Sequence, residues 1–363
     1  MTGTMDNAGM NESAVYHVTR VSPVFSGFSG MMPVSRELGA AVFQCEPAYA
    51  GWLRRSWTLG NALRQWGIRH YGSAWNSLAP WRDEARIRRA LPKRAEPYPV
   101  HFIWGEFAAP KRVEPYHRRG ARVVVSVHCS ARRWESVWLR PDGYAVADEV
   151  LLMSESQRPF VARHVPPERI RTILHGVVAG YFTPPANREP RAGKFRMFML
   201  GDTERDHALA AQIAAQLPAD RFEWRIRTVA PEKSVYAGIP CVNLLPRLTD
   251  AEMLEEYRQA DVLAMPMLDS AANNVILESM ACGTPVMTNR TGGVPEYVAP
   301  DCNFVLSNDR AADEWVEKLL GLEQNRDGAE RMRPATRAWA EKFDWKLIAG
   351  QYRETYRQVL ARG

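Results

Sequence analysis

Short apolar runs alternate with stretches of helical period along the whole chain. Ala14–Arg20, Val100–Trp104, Arg122–Val127 and Glu149–Met153 read as buried strands. A second series follows at Phe195–Leu200, Phe222–Arg227, Val242–Leu244, Val262–Met265 and Val286–Thr288. Strands alternating with helices in this way predict an α/β protein whose parallel sheets are covered by helices. Between the two series lies Thr183–Gly193, where Pro184, Pro185 and Pro190 stand among polar residues, and this is the best linker in the chain. The pattern predicts two doubly wound domains, 1–183 and 184–340. Such folds bind ligands outside the carboxyl ends of their strands, so a cleft between the two domains is the expected site. The last segment, Phe343–Leu360, sets Trp345, Ile348, Tyr352, Tyr356 and Leu360 near one face of a helix.

The 363 residues are 46% hydrophobic and 24% charged, a mix that excludes a largely disordered chain or a coiled coil. No run approaches the roughly 18 apolar residues of a membrane span. Met1–Ser13 lacks the basic start and apolar stretch of a secretory leader. Cys45, Cys129, Cys241, Cys282 and Cys302 lie far apart with no CxxC pair, which argues against a zinc site and a disulfide framework. A reducing, cytoplasmic location with no metal is the expectation. The net charge of +6 is unevenly spread: residues 1–180 hold 24 Lys and Arg against 15 Asp and Glu, the remainder 23 against 26. Clusters at Arg82–Arg94, Lys111–Arg122 and Arg132–Arg140 suggest an anionic partner, such as the inner face of a membrane or a lipid-linked phosphate. A solvated arginine-rich face is the plainer alternative. Trp52, Trp57, Trp66, Trp75 and Trp81 interleave with basic residues, yet no helix-turn-helix, KH or RNP pattern accompanies them, so no nucleic acid is expected.

Candidate chemistry concentrates in Ala260–Val298. A buried strand stops at Pro266, a polar loop follows, and a short helix runs from about Asn273 to Cys282. Asn273 or Asn274 can cap its first amides, Gly283 suits its end, and Pro285 blocks continuation. Glu278 sits in the first half of this helix among Val275, Leu277 and Ala281. A buried carboxylate is costly unless paired or hydrogen-bonded, and the vicinal hydroxyls of a ribose would satisfy both of its oxygens. The helix N-terminus would favour a diphosphate nearby. A glutamate salt-bridged to a core arginine is the alternative.

LESMACGTPV around Glu278, with Gly292-Gly293-Val294-Pro295-Glu296-Tyr297 behind it, resembles the donor-sugar signature of GT-B glycosyltransferases, most similar to retaining family 4. The resemblance implies two Rossmann-like domains facing across a cleft, with the terminal helix, 341–363, crossing back to the first. It implies a hexosyltransferase-type enzyme (EC 2.4) that moves a sugar from a nucleotide sugar to an acceptor hydroxyl with retention. The product would serve polysaccharide, lipopolysaccharide or glycolipid assembly, and neither cofactor nor metal is implied. Glu278 would hold the ribose. Arg205, Gly201, Asn273, Asn274, Val275, Ile276, Gly292 and Gly293 would surround the diphosphate and donor sugar. The family's earlier acidic residue falls at Ser270 here, with Asp269 one position off, so Asp269 is the candidate for that role. The loop after Phe195–Leu200 offers Arg205 where relatives carry an Arg and a Lys. His128, after the strand Arg122–Val127, matches a family histidine facing donor sugar and acceptor. Gly27 and Gly30 match a glycine-rich loop lining the acceptor side. His175 and Val178 replace the family's usual Asn and Asp. Because Ser270 and the missing Lys depart from the pattern, a non-catalytic nucleotide-sugar binder stays open, as does a GT-B epimerase or phosphorylase.

Overall fold

The structure, a computed structural model, describes residues 14–20, 27–45, 80–105, 110, 112–133, 144–187, 193–229, 232–309 and 311–362. Phe25, Trp52, Trp57, Trp66, Trp75, Lys111, residues 134–140 and the middle of the expected linker, 188–192, lie outside the described residues. The chain divides into two compact units, Met1–Leu174 with Lys346–Gly363, and His175–Trp345.

The first unit is built on six parallel strands: β1 (Tyr16–Arg20), β2 (Ala41–Cys45), β3 (Tyr98–Phe102), β4 (Ala121–Val127), β5 (Glu149–Leu152) and β6 (Ile170–Thr172), in the order β2-β1-β3-β4-β5-β6. Alternation along each strand divides the faces. Tyr16, Val18, Val100, Phe102, Val123, Val125, Val150 and Leu152 fill the core on one side. On the other, His17 stands opposite His101 in register and Ser126 follows on β4. The closing helix, Trp345–Ala361, covers that polar row, with Ile348, Tyr352, Tyr356 and Val359 buried.

The second unit repeats the design with β7 (Phe195–Leu200), β8 (Phe222–Arg227), β9 (Val242–Leu244), β10 (Val262–Met265), β11 (Val286–Asn289) and β12 (Phe304–Leu306), in the order β12-β11-β10-β7-β8-β9, again all parallel. Four helices matter below: α1 (His207–Gln216), α2 (Asp250–Gln259), α3 (Asn274–Ala281) and α4 (Arg326–Glu341). Each of the first three begins on a residue that can accept from exposed amides: Asp206, Thr249 with Glu252 in a capping box, and Asn273. Residues 175–183 pack within this unit. His175 N donates to the Tyr297 hydroxyl at 2.8 Å, and Arg337 on α4 donates to the carbonyls of Ala179, Phe182 and Ala281. The divisions at 174/175 and 345/346 stand nine and five residues from the expected boundaries at 183/184 and 340/341.

The α/β class and doubly wound sheets are as the pattern predicts. Nine strands were legible as apolar runs; β2, β6 and β12 were not. The last two have three residues each, and Phe304 and Val305 of β12 are only partly buried, so an edge position leaves little apolar signal.

Candidate functional site

In the second unit the site begins at the amino end of α3. Asn273 has extended backbone and its Oδ1 accepts from the amides of Val275, at 3.1 Å, and Ile276, at 3.4 Å. Asn273 is therefore the cap, and Asn274 is the first helical residue. Everything from Val275 to Ala281 is buried because α3 lies between the sheet and α4. Glu278, 3% exposed, is the fifth of eight residues rather than in the first half, so the helix terminus favours its charge less than the sequence suggested. Its Oε2 accepts from the Tyr257 hydroxyl at 2.7 Å. Tyr257, fully buried on α2, went unnoticed in the sequence; its only signal there is an inward position on an amphipathic helix. Burial, and secondly the Glu278 charge, push its phenol well above the ordinary range, so the hydroxyl remains a donor.

Arg205 reaches the same corner from the loop between β7 and α1. Its Nη2 donates to Asn273 Oδ1 at 3.3 Å, its Nε to Leu200 O at 3.2 Å, and its Nη1 to Thr203 O at 2.6 Å. The preceding residue, Glu204, is held at φ +58°, a left-handed conformation costly for a side chain of this kind. Two backbone bonds impose it: Leu268 N donates to Glu204 O, and Asp206 N to Pro266 O, both at 2.9 Å. Burial lowers the Arg205 pKa to about 10, with the charges of Asp202, Glu204 and Glu278 opposing, so the guanidinium stays charged at neutral pH. Gly201 follows β7, and a Cβ on it would stand 3.1 Å from this guanidinium.

A second loop pair closes the far side. Asp269, 6% exposed, accepts at Oδ1 from Ser270 N at 2.7 Å, so part of this carboxylate braces its own loop. Ser270 O accepts from Gly293 N at 2.7 Å. Gly292 has φ +47°, and a Cβ there would stand 2.2 Å from Asp269 Oδ1 and 2.3 Å from Ser270 O. Only glycine lets the two turns meet this closely. Asn289 fastens the 267 end, accepting from Met267 N at 2.8 Å and donating to Met267 O at 2.9 Å. The structure thus brings Gly201, Arg205, Asn273, Glu278, Asp269, Gly292 and Gly293 into one continuous corner at the carboxyl ends of β7, β10 and β11.

The remaining candidates belong to the first unit. His128 follows β4 and is half-buried, its ring against Trp104 with centroids 3.9 Å apart and planes tilted by 32°. Trp104 reaches it because Gly105 presses on β4; a Cβ at Gly105 would meet Val125 at 2.5 Å and Ser126 O at 2.7 Å. Gly27 is exposed and its carbonyl accepts from Arg36, while Gly30 is buried with φ +74°. Among the described residues, no group of three or more His, Cys, Asp or Glu could hold a metal ion, and no helix is long and apolar enough to cross a membrane.

Residues 199–325 match a family model described as "Glycosyl transferases group 1". A D-inositol 3-phosphate glycosyltransferase of Thermobispora bispora is 26% identical over 60% of this chain and 57% of its own length. Other curated relatives are covered over 24–30% of their length, so the chain spans from about a quarter to just over half of the length of these curated relatives. Among solved structures, the catalytic domain of starch synthase IV from Arabidopsis thaliana, bound to ADP and acarbose, superposes with TM-score 0.65 over 96% of this chain and 99% of that one, at 12% identity. Anabaena HepE in complex with UDP gives 0.63 over 95% and 99%, at 13% identity. The fold of this chain is GT-B, that of glycosyltransferases.

Proposed function

We propose that this chain moves a sugar from a nucleotide-sugar donor to an acceptor hydroxyl with retention of anomeric configuration. The observation that carries the reading is Glu278: a buried carboxylate one turn inside a capped helix, in the segment that matches the glycosyltransferase model, beside a charged arginine. Glu278 takes the ribose hydroxyls. Arg205 offsets the charge on the leaving diphosphate from preformed hydrogen bonds, where electrostatic stabilisation acts without reorganisation, and no metal is required. The acceptor oxygen bonds to the anomeric carbon on the face from which the phosphate oxygen departs, and that oxygen takes the acceptor proton. Asp269 and the Asn273–Ile276 turn line the donor sugar, while Gly292 and Gly293 back the diphosphate.

The first unit serves the acceptor, a carbohydrate or lipid-linked hydroxyl, with His128 orienting it and Gly27 and Gly30 lining the approach. Arg89, Lys93, Arg112 and Arg118 are exposed there and favour peripheral contact with an anionic lipid surface on the cytoplasmic side. Cosedimentation with liposomes should rise with anionic lipid and fall with salt; indifference to both would assign a soluble acceptor.

Thermal-shift titration against UDP-, GDP- and ADP-sugars tests the donor site, since a ligand of the folded state raises the transition with its concentration. Product analysis with an acceptor panel then fixes the anomer. The bracing of Asp269 by its own loop favours one second reading, a nucleotide-sugar binder without transfer. Tight binding with no turnover on any acceptor would decide for it, and an inverted product would refute retention.

A further inference from the structure

We infer that Tyr257 is a positioning residue that sets the ribose selectivity of the site through Glu278, an inference resting on the donor-site reading above. Glu278 lies buried inside α3 between Leu277 and Ser279, and its side chain has three rotatable bonds to fix before the carboxylate can grip a diol. Tyr257 supplies the restraint, with its hydroxyl 2.7 Å from Oε2.

The donor itself is held at both ends. Its ring is gripped edge-to-face by Phe198 on β7, with centroids 5.4 Å apart, and by Phe182 at 6.0 Å. Its carbonyl accepts from Thr284 Oγ1 at 2.6 Å, and Arg333 Nη1 in turn donates to Thr284 Oγ1 at 2.9 Å. Arg333 also donates to Ala260 O at 2.6 Å, just past the end of α2. The hydroxyl therefore cannot follow the carboxylate if it swings; the carboxylate must stay with the hydroxyl. With one lone pair of Oε2 occupied, the orientation of the other oxygen is set, and a bidentate diol must meet the carboxylate in a single pose. A nucleotide lacking one ribose hydroxyl then makes one bond fewer to a carboxylate held in a pose for two, which is the arrangement that discriminates. Loss of the Tyr257 hydroxyl removes this restraint on Oε2 and widens the set of poses in which the carboxylate meets a ribose, so selectivity falls more than affinity.

The test is calorimetric titration of wild type, Tyr257→Phe and Thr284→Val with UDP, ADP and GDP and with their 2′-deoxy forms. For whichever base binds, Tyr257→Phe should reduce the ribo-to-deoxy preference by about three- to tenfold, the worth of one ordinary hydrogen bond. Thr284→Val loosens the carbonyl end only; it should lower the melting temperature while leaving that preference near the wild-type value. A Tyr257→Phe protein that is destabilised but keeps the full preference overturns the inference and makes Tyr257 a packing residue. Wild type that binds none of the three diphosphates overturns the donor-site reading first, and the inference with it, so the two failures are told apart by the wild-type titration alone.

Discussion

Tyr356 on the closing helix sets its hydroxyl 2.7 Å from Nδ1 of His101 on β3, across 255 residues of sequence. The contact is the centre of a buried chain. Tyr356 also meets His17 Nε2 at 3.0 Å, His17 Nδ1 meets Ser35 Oγ at 2.7 Å, and His101 Nε2 meets Ser126 Oγ at 2.7 Å. The hydroxyl has one proton to give, so at most one of the two facing nitrogens accepts from it and the other donates to it. Burial lowers His17 to about 3 and His101 well below its ordinary value, the latter helped by His17 and His128.

Both groups bind protons more readily in the unfolded chain. Their contribution to stability is thus complete above about pH 6.5 and is lost as pH falls from there toward 3, at up to roughly 1.4 kcal/mol per pH unit for each histidine. Denaturant midpoints should fall between pH 7.5 and 5, and less steeply in His17→Asn/His101→Asn than in wild type. Equal slopes would show that neither histidine is held neutral.

Removal of the central hydroxyl should act differently. Tyr356→Phe keeps the ring but leaves one nitrogen of each histidine without its partner, at about 1–3 kcal/mol. A chain of this size should lose several degrees of melting temperature at pH 7.5, by about 2–4 °C per kcal/mol. A change below one degree would mean that the histidines find other partners.

These contacts show where sequence reading stops. The sheets are visible because parallel strands buried on both faces are written as continuous apolar runs, and a cap at Asn273 or Asn274 because capping is local; the structure decides for Asn273. Tyr257 meets Glu278 across 21 residues and Tyr356 meets His101 across 255, and neither spacing follows from any local period. The fold alone makes those pairs. The same is true of Trp104 against His128, which meet where the glycine after the tryptophan packs closely on β4.

Arg205 offers a charge test. Arg205→Gln retains a donor for Asn273 but removes the cation, so affinity for a nucleoside diphosphate should fall by about 1.5–3 kcal/mol, with little change for the nucleoside. Calorimetry on both ligands checks it; equal losses would indicate that the side chain supports the loop and not the phosphates.

His128 should separate binding from transfer. His128→Ala is expected to reduce turnover by one to two orders of magnitude, toward the usual range for a lost positioning or acid–base group, and to leave nucleotide affinity within about twofold. Turnover equal to wild type would return the Trp104–His128 pair to a packing role.

Gly292 gives the most local prediction. Its φ of +47° already disfavours any side chain, and a methyl group would stand 2.2 Å from Asp269 Oδ1 and 2.3 Å from Ser270 O, a distance that no contact of this kind tolerates. Gly292→Ala must therefore part the turn at 291–293 from the loop at 269–270, with loss of the Gly293 N to Ser270 O bond. Conformational strain of about 1–2 kcal/mol and a comparable contribution from the bond set the scale of the cost. Because Asn273 and Glu278 are held by separate partners on α3 and α2, the ribose contact should survive in a protein that still folds. Nucleoside monophosphate affinity is then expected to change little, while affinity for the complete nucleotide sugar falls tenfold or more. An equal fall for both ligands would mean that the turn supports the whole corner rather than its sugar end.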